Sequence, residues 1–347
     1  MFQLTEQLPM KHMQKPLVSV KMITYNHEPY ITQAIEGVLM QKTDFPFELV
    51  IGEDCSTDGT RERVLAYQKK YPGIIRVITS KQNVGMKKNG RRTEQACNGK
   101  YIAFCEGDDY WHNPNKLQLQ VNYLETHPKC GLVCSDYDVY NTTTNKHIKN
   151  YVKYRQLIFP DKPQLIDFLI RDTVLVVGIL TCAVIARKKL VEDIRKADPY
   201  LHCDDIFLMG DTQLWAEMSV CSEIHFIGES FVTHNILANS ASNHKDLKKQ
   251  LRFYISGAKL YCYLCAKYEM PTNLKKMHKG NLQHYSLQLA FHEMNPKLAE
   301  KVRKDKIRFT YIEWLKYYGA KNTIIHFLCG TVMIVKNIFR KKYLKWS

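Results

Sequence analysis

Tyr101-Ile102-Ala103-Phe104-Cys105-Glu106-Gly107-Asp108-Asp109-Tyr110-Trp111 passes from apolar to acidic to aromatic within one short stretch. The apolar run Tyr101–Cys105 reads as a short buried strand, and Glu106, Asp108 and Asp109 follow at its end. Two unit charges about 4 Å apart repel by roughly 4 kcal/mol at an effective dielectric of about 20. A partly buried trio therefore needs protons or a counter-charge, and a hard divalent cation, Mg²⁺ or Mn²⁺, suits carboxylate oxygens. A solvated acidic turn ahead of the next helix is the plainer use of the same residues.

Strand-like and helix-like segments alternate around this stretch. Leu17–Thr24 is apolar and β-branched, Tyr30–Gln41 has helical spacing through Ile31, Ala34, Ile35 and Val38, and Phe47–Gly52 reads as a buried strand. Thr60–Tyr71 predicts a helix and Ile74–Thr79 a strand. Asn113-Pro114 predicts the N-cap and first residue of a helix reaching His127, and Leu132–Cys134 is again apolar. Such alternation argues for an α/β fold, a mostly parallel sheet with helices on both faces. Sheets of this kind bind ligands at the carboxyl ends of their strands. There the sequence places Thr24-Tyr25-Asn26-His27-Glu28, Glu53-Asp54-Cys55-Ser56-Thr57-Asp58-Gly59-Thr60 and the acidic trio. Farther on, Pro163–Arg171 and Asp211–Val220 read as helices, and Ile179–Ala186, Ile224–Ile227 and Phe231–His234 as strands. From about Ser242 the chain is helical in pattern, basic and rich in Tyr.

Together these segments resemble the family 2 glycosyltransferases of the GT-A fold. Val18–Asn26 resembles the family's opening strand and nucleotide loop, Glu53–Thr60 its second acidic motif, Glu106–Trp111 its metal motif, and Gly210–Trp215 the segment carrying its catalytic base. The likeness covers residues 16–242 and departs at Glu53 and Glu106, where the family usually has Asp. It implies a GT-A catalytic domain, with a nucleotide-sugar half over 16–140 and an acceptor half over 141–242. A helical, basic region over 243–347 follows. It further implies that Thr24, Tyr25, Asn26, Glu28 and Asp54 line the donor pocket. Asp108, Glu106 and His234 would hold the metal, with Asp109 beside the donor sugar. Lys88 and Arg91 would stand near the diphosphate, and Asp211 would be the general base. His234, Ser240 and Ser242 resemble a late segment facing the metal or diphosphate. The implied activity is inverting transfer of a sugar from a nucleoside-diphosphate sugar to an acceptor hydroxyl, in cell-surface polysaccharide synthesis.

The residues alone leave plainer readings open. Asp211 also fits an N-cap, Asp204-Asp205 a surface turn, and His234 an ordinary core histidine. Hydrophobic residues are 45% of the 347, which excludes a disordered chain, and the net charge of +16 favours phosphate-rich partners. Those partners include nucleic acid, but acid at the strand ends argues against it and against a basic nucleic-acid-binding protein. A sugar nucleotidyltransferase is the other alternative, disfavoured because Thr24–Glu28 contains no glycine. The 11 cysteines show no disulfide spacing, as in a reducing cytosol, and the first residues lack the apolar core of a signal peptide. The apolar positions from Ile324 to Phe339, followed by Arg340, Lys341, Lys342, Lys345 and Trp346, suit two arrangements. One is an amphipathic helix on the cytoplasmic face of an anionic membrane, which would fit a lipid-linked saccharide acceptor; the other is a packed helix with a solvated tail.

Overall fold

The strand that opens the sheet, β1 (Val18–Thr24), places Val18, Val20 and Met22 on one fully buried face. The computed structural model describes residues 15–170, 178–202, 206–238, 246–305 and 309–329. On that face β1 packs with α1 (Ile31–Leu39), whose Ile31, Ala34, Ile35 and Val38 lie at helical spacing and are all fully buried. The strand β2 (Phe47–Glu53) pairs with β1 in parallel and β3 (Ile75–Ile78) with β2, the two joined by α2 (Thr60–Lys70). A helix α3 (Met86–Ala96) leads to β4 (Tyr101–Glu106), parallel to β1 on its other side. Next come β5 (Tyr110–Trp111), α4 (Lys116–Thr126), β6 (Cys130–Asn141) and β7 (Lys146–Ile148). After the short helices α5 (Tyr151–Tyr154) and α6 (Leu165–Ile170) come β8 (Ile185–Arg187), α7 (Lys188–Ala197), α8 (Thr212–Cys221) and β9 (Glu223–Ile236).

The sheet runs β3-β2-β1-β4-β8-β6-β9-β5, with β7 off this path and antiparallel to β6. Its first four strands are parallel. Beyond β4 it is mixed: β8 is antiparallel to both β4 and β6, β6 and β9 are parallel, and β5 is antiparallel to β9. The apolar core of β1, β2, β4, α1 and α4 lies on one face. On the other, α3 and α7 meet the sheet through an ion-pair group: Glu94 takes Lys21 at 3.1 Å and Arg195 at 2.8 Å.

Several predicted elements shift. The helix expected from Asn113-Pro114 begins at Lys116, because the Asn113 side chain accepts from the Asn115 backbone N–H at 2.8 Å and closes a turn first. Ile179–Ala186 is a 3-10 turn at Thr181–Ala183 followed by the three residues of β8. The two strands expected at 224–227 and 231–234 are one, β9, whose register against β6 jumps between Ser135 and Tyr137. Helices α3 and α7 are additions.

The chain divides into two compact units, Met1–Asp204 with Gly210–Ile236, and Asp205–Met209 with Leu237–Ser347. The second holds α9 (Leu247–Lys267), α10 (Thr272–His292), α11 (Pro296–Asp305) and α12 (Tyr311–Gly319) around a core of Leu287, Ala290, Ala299, Val302, Tyr317 and Ala320. Asp246 caps α9 and a Thr310–Glu313 capping box starts α12. No described helix is long and apolar enough to cross a membrane. Asp204-Asp205, Ser240, Ser242 and the basic tail from Lys336 to Trp346 lie outside the described residues.

Candidate active site

Register brings the quoted loops to one edge. Thr24 pairs with Glu53 across β1 and β2, and Ile23 with Glu106 across β1 and β4. The loop after β1 is fastened to the loop after β2. Asn26, in the left-handed region at φ 53°, accepts from the Thr57 N–H at 2.8 Å, and its own N–H donates to Ser56 Oγ. Glu28 accepts from the Gly59 N–H at 3.0 Å and from Arg63 at 3.1 Å, so its carboxylate braces the two loops. Tyr25 is exposed. Asp54 is buried and accepts from the Val84 and Gly85 N–H groups, both at 2.9 Å, which ties the segment before α3 to this edge. A carboxylate retains acceptor capacity after two such bonds.

Gly107 turns the chain at the end of β4 with no room for a side chain: a Cβ there would stand 2.7 Å from Thr24 Oγ1 and 3.0 Å from His27 Nδ1. Those two atoms are buried and have no hydrogen-bond partner among the described residues. His27 Nε2 lies 3.9 Å from Asp108 Oδ2. Asp109 is held from β9: its Oδ1 accepts from the Asn235 N–H at 2.9 Å and lies 3.0 Å from His234 Nδ1. The Asn235 amide donates to the Asp108 carbonyl at 2.6 Å.

The charges are crowded. Burial, then the charges of Asp109, Asp108 and Asp211, push Glu106 up to about 8. Burial and Asp109 also raise Asp108. Burial pulls the His234 imidazole down, but the charge and hydrogen bond of Asp109, with Asp108 and Glu106 behind it, outweigh that and push it up to about 9.

Asp211 caps α8, accepting from the Thr212 N–H at 2.6 Å, and its other oxygen accepts from Thr181 Oγ1 at 2.5 Å. The N-cap use is therefore real. Glu106 nevertheless feels its charge, and Cys182, next to Thr181, has its sulfur within 4.8 Å of carboxylate oxygens of Glu106 and Asp109.

Of the basic residues named from the sequence, Lys88 is exposed on α3 and Arg91 donates to the His202 carbonyl at 2.5 Å. The neighbour missed in the sequence, Arg92, reaches the strand ends. It donates to the Glu53 carbonyl at 2.8 Å and stands 3.7 Å from Asp54.

The family model for glycosyl transferase family 2 matches residues 19–193. The chain belongs to this family. The Mycobacterium tuberculosis protein Rv1520 is 43% identical over 112 residues, 32% of each chain. The Bacillus subtilis protein TuaG, assigned to teichuronic acid biosynthesis as a glycosyltransferase, is 36% identical over 110 residues, 32% of this chain and 42% of its own. The matches thus span less than half of these relatives. In fold, this family 2 chain is similar to Staphylococcus aureus TarS, solved with UDP-GlcNAc (TM-score 0.50, 18% identity, 87% of this chain and 79% of that one). It is likewise similar to the mannosyltransferase PcManGT of Pyrobaculum calidifontis, solved with GDP-Man and Mn²⁺ (TM-score 0.50, 14% identity, 91% and 87%).

For a family 2 chain the donor set bears on the expected ion. Oxygens of Glu106 and Asp109 lie close enough together to share one cation, and the raised Glu106 and Asp108 are carboxylates short of counter-charge. Both features fit a hard divalent ion. The third member of that group, Cys182, is fully buried with its thiol pushed well up, chiefly by burial, and makes a poor partner for such an ion. Sequence reading missed His27, Arg92, Thr181 and Asn235. His27 stood inside a quoted motif, and a carboxylate-rich edge calls for donors; Thr181 and Asn235 carried no local signal.

Proposed function

We propose that the chain transfers a sugar from a nucleoside-diphosphate sugar to an acceptor hydroxyl, with inversion at the anomeric carbon. Membership in the family supports it, and so do the ligands with which TarS and PcManGT were solved. The observation that carries it is the strand register that brings Asp54, Glu106, Asp108 and Asp109 to the sheet edge where the Thr24 hydroxyl stands without a partner among the described residues. In this reading Thr24, Tyr25, Asn26 and Asp54 receive the nucleoside, and Glu28 holds their loop in shape. Glu106 and Asp109, whose oxygens lie close enough together to share one ion, would hold Mg²⁺ or Mn²⁺ with Asp108 next to them in the chain, and His234 would fix Asp109. The chemistry such an ion supplies when bound is neutralisation of charge on the diphosphate. Lys88, Arg91 and Arg92 add positive charge on α3.

The acceptor oxygen bonds to the anomeric carbon as the bond from that carbon to the diphosphate oxygen breaks. The electron pair leaves with the diphosphate, and Asp211 takes the hydroxyl proton. Thr181, donating to Asp211, fixes the direction of that carboxylate. An acceptor in cell-surface polysaccharide, lipid-linked and met at the cytoplasmic membrane face, is the setting that TuaG and the basic residues beyond 242 favour.

The test is thermal stability with UDP, GDP, dTDP, CDP or CMP, each with and without Mn²⁺. One nucleotide with metal should stabilise by about 2.7 kcal/mol at 100 times its dissociation constant, and Asp108→Ala should abolish the gain. No shift with any nucleotide at millimolar concentration would sink the reading.

A further inference from the structure

The positive charge is not spread along the chain. Residues 246–347 carry 21 Lys and Arg against 6 Asp and Glu, whereas residues 1–245 carry 29 against 28. The helical unit therefore holds 15 of the 16 net charges. Within it lies a cavity of about 420 Å³ between α9, α10 and α11. That volume falls in the ~300–1,000 Å³ range of small-molecule sites.

The lining has two characters. Leu282, Leu289, Leu298 and Val302 form an apolar wall, with Ile255 across from it on α9. The exposed cations Arg252, Lys259, Lys279 and Lys301 stand at its margin, with Asp305 the one carboxylate in the lining. Arg252 is engaged by Glu293. Lys259, Lys279 and Lys301 form no ion pair among the described residues. Leu289 and Val302 are already buried, whereas Leu282, Leu298 and Ile255 keep part of their surface open beside the three ammonium groups. A molecule with an apolar part and an anionic part complements both.

We propose that this cavity binds one phosphorylated aliphatic lipid, its chain against Ile255, Leu282 and Leu298 and its phosphate among Lys259, Lys279 and Lys301. The site goes beyond the transfer reading. It draws on none of the residues at the acidic edge, which belong to the other unit.

Dodecyl phosphate, kept below its micelle concentration and titrated calorimetrically into the full chain, tests it. Saturable one-to-one binding is expected, weakened at least tenfold in the Lys259→Glu, Lys279→Glu double variant. The Lys275→Glu, Lys276→Glu double variant removes the same charge from α10 outside the lining and should bind within twofold of the wild type. Inorganic phosphate, which has no chain, and dodecyl maltoside, which has no charge, should each bind at least tenfold more weakly. Equal loss in the two double variants would mean diffuse attraction, and dodecyl maltoside binding as well as dodecyl phosphate would mean adsorption of any detergent; either overturns the proposal. Circular dichroism of both variants checks that the helices persist. Because the readout is binding, failure here leaves the nucleotide test untouched.

Discussion

Asp211 carries two jobs on one carboxylate. One oxygen caps α8 through Thr212, and the other takes the Thr181 hydroxyl. Asn keeps an oxygen for the cap but cannot take a proton. Asp211→Asn should therefore lower sugar transfer by about 10²- to 10⁴-fold, the usual worth of a general base, while nucleotide-induced stabilisation with Mn²⁺ persists. Unchanged transfer in a rate assay would reduce Asp211 to a cap. Lys116 poses a different problem. It is fully buried, donating to Gln120 at 2.8 Å with its ammonium 4.2 Å from the Trp111 ring centre. Burial pulls its pKa down to about 7, against ~10.4 in the unfolded chain. Below pH 7 both states are protonated and the folded one confines a charge. Between about 7 and 10.4 the unfolded state binds more protons, so stability rises with pH by up to about 1.4 kcal/mol per unit. Denaturant titrations should show wild type gaining on Lys116→Met from pH 7 to pH 10. A constant difference between the two would mean that Lys116 keeps an ordinary pKa.

At the scale of elements, α3 shows why part of the fold was hidden. Its sequence, Met86-Lys87-Lys88-Asn89-Gly90-Arg91-Arg92-Thr93-Glu94-Gln95-Ala96, has no apolar stripe, and its buried residues are Asn89, Gly90, Thr93 and Glu94. Polar contacts seat it instead. Asn89 donates to the Gly52 carbonyl at 2.8 Å, and a Cβ on Gly52 would fall 1.9 Å from Thr93 Oγ1. Periodicity reads apolar faces, so a helix seated by hydrogen bonds escapes it. The strands β1, β2 and β4 and the helix α1 were legible because their faces are apolar. The carboxylates at the edge were legible because strand ends in a parallel sheet are where ligands sit. Thr181, Asn235 and the β9 register depend on contacts 30 to 127 residues apart in sequence, beyond any local pattern. The same polar seating makes a prediction. Glu94 is buried between Lys21 and Arg195 and joins β1, α3 and α7. Breaking a buried pair from one side costs about 3–5 kcal/mol, so Glu94→Gln should lower the unfolding free energy, read by denaturant titration, by that much. A loss under about 1 kcal/mol would show that water already screens the group.

For the whole molecule, two units with separate cores and unequal charge imply two different sensitivities. The sheet unit packs around β1, α1 and α4, and the helical unit around α10, α11 and α12. Net charge on a compact body opposes folding by self-repulsion. Residues 246–347 bear 21 basic against 6 acidic side chains, and the rest of the chain is nearly balanced. Raising salt from about 10 mM to about 150 mM shortens the screening length from about 30 Å to about 8 Å. That relieves repulsion in the helical unit and leaves the sheet unit nearly unaffected. Nucleotide with Mn²⁺ acts the other way, because a ligand stabilises the unit that binds it. Scanning calorimetry should therefore resolve two transitions, one raised by salt and the other by nucleotide with metal. A single transition raised by both would mean that the units melt as one cooperative body, and would overturn the reading of separate cores.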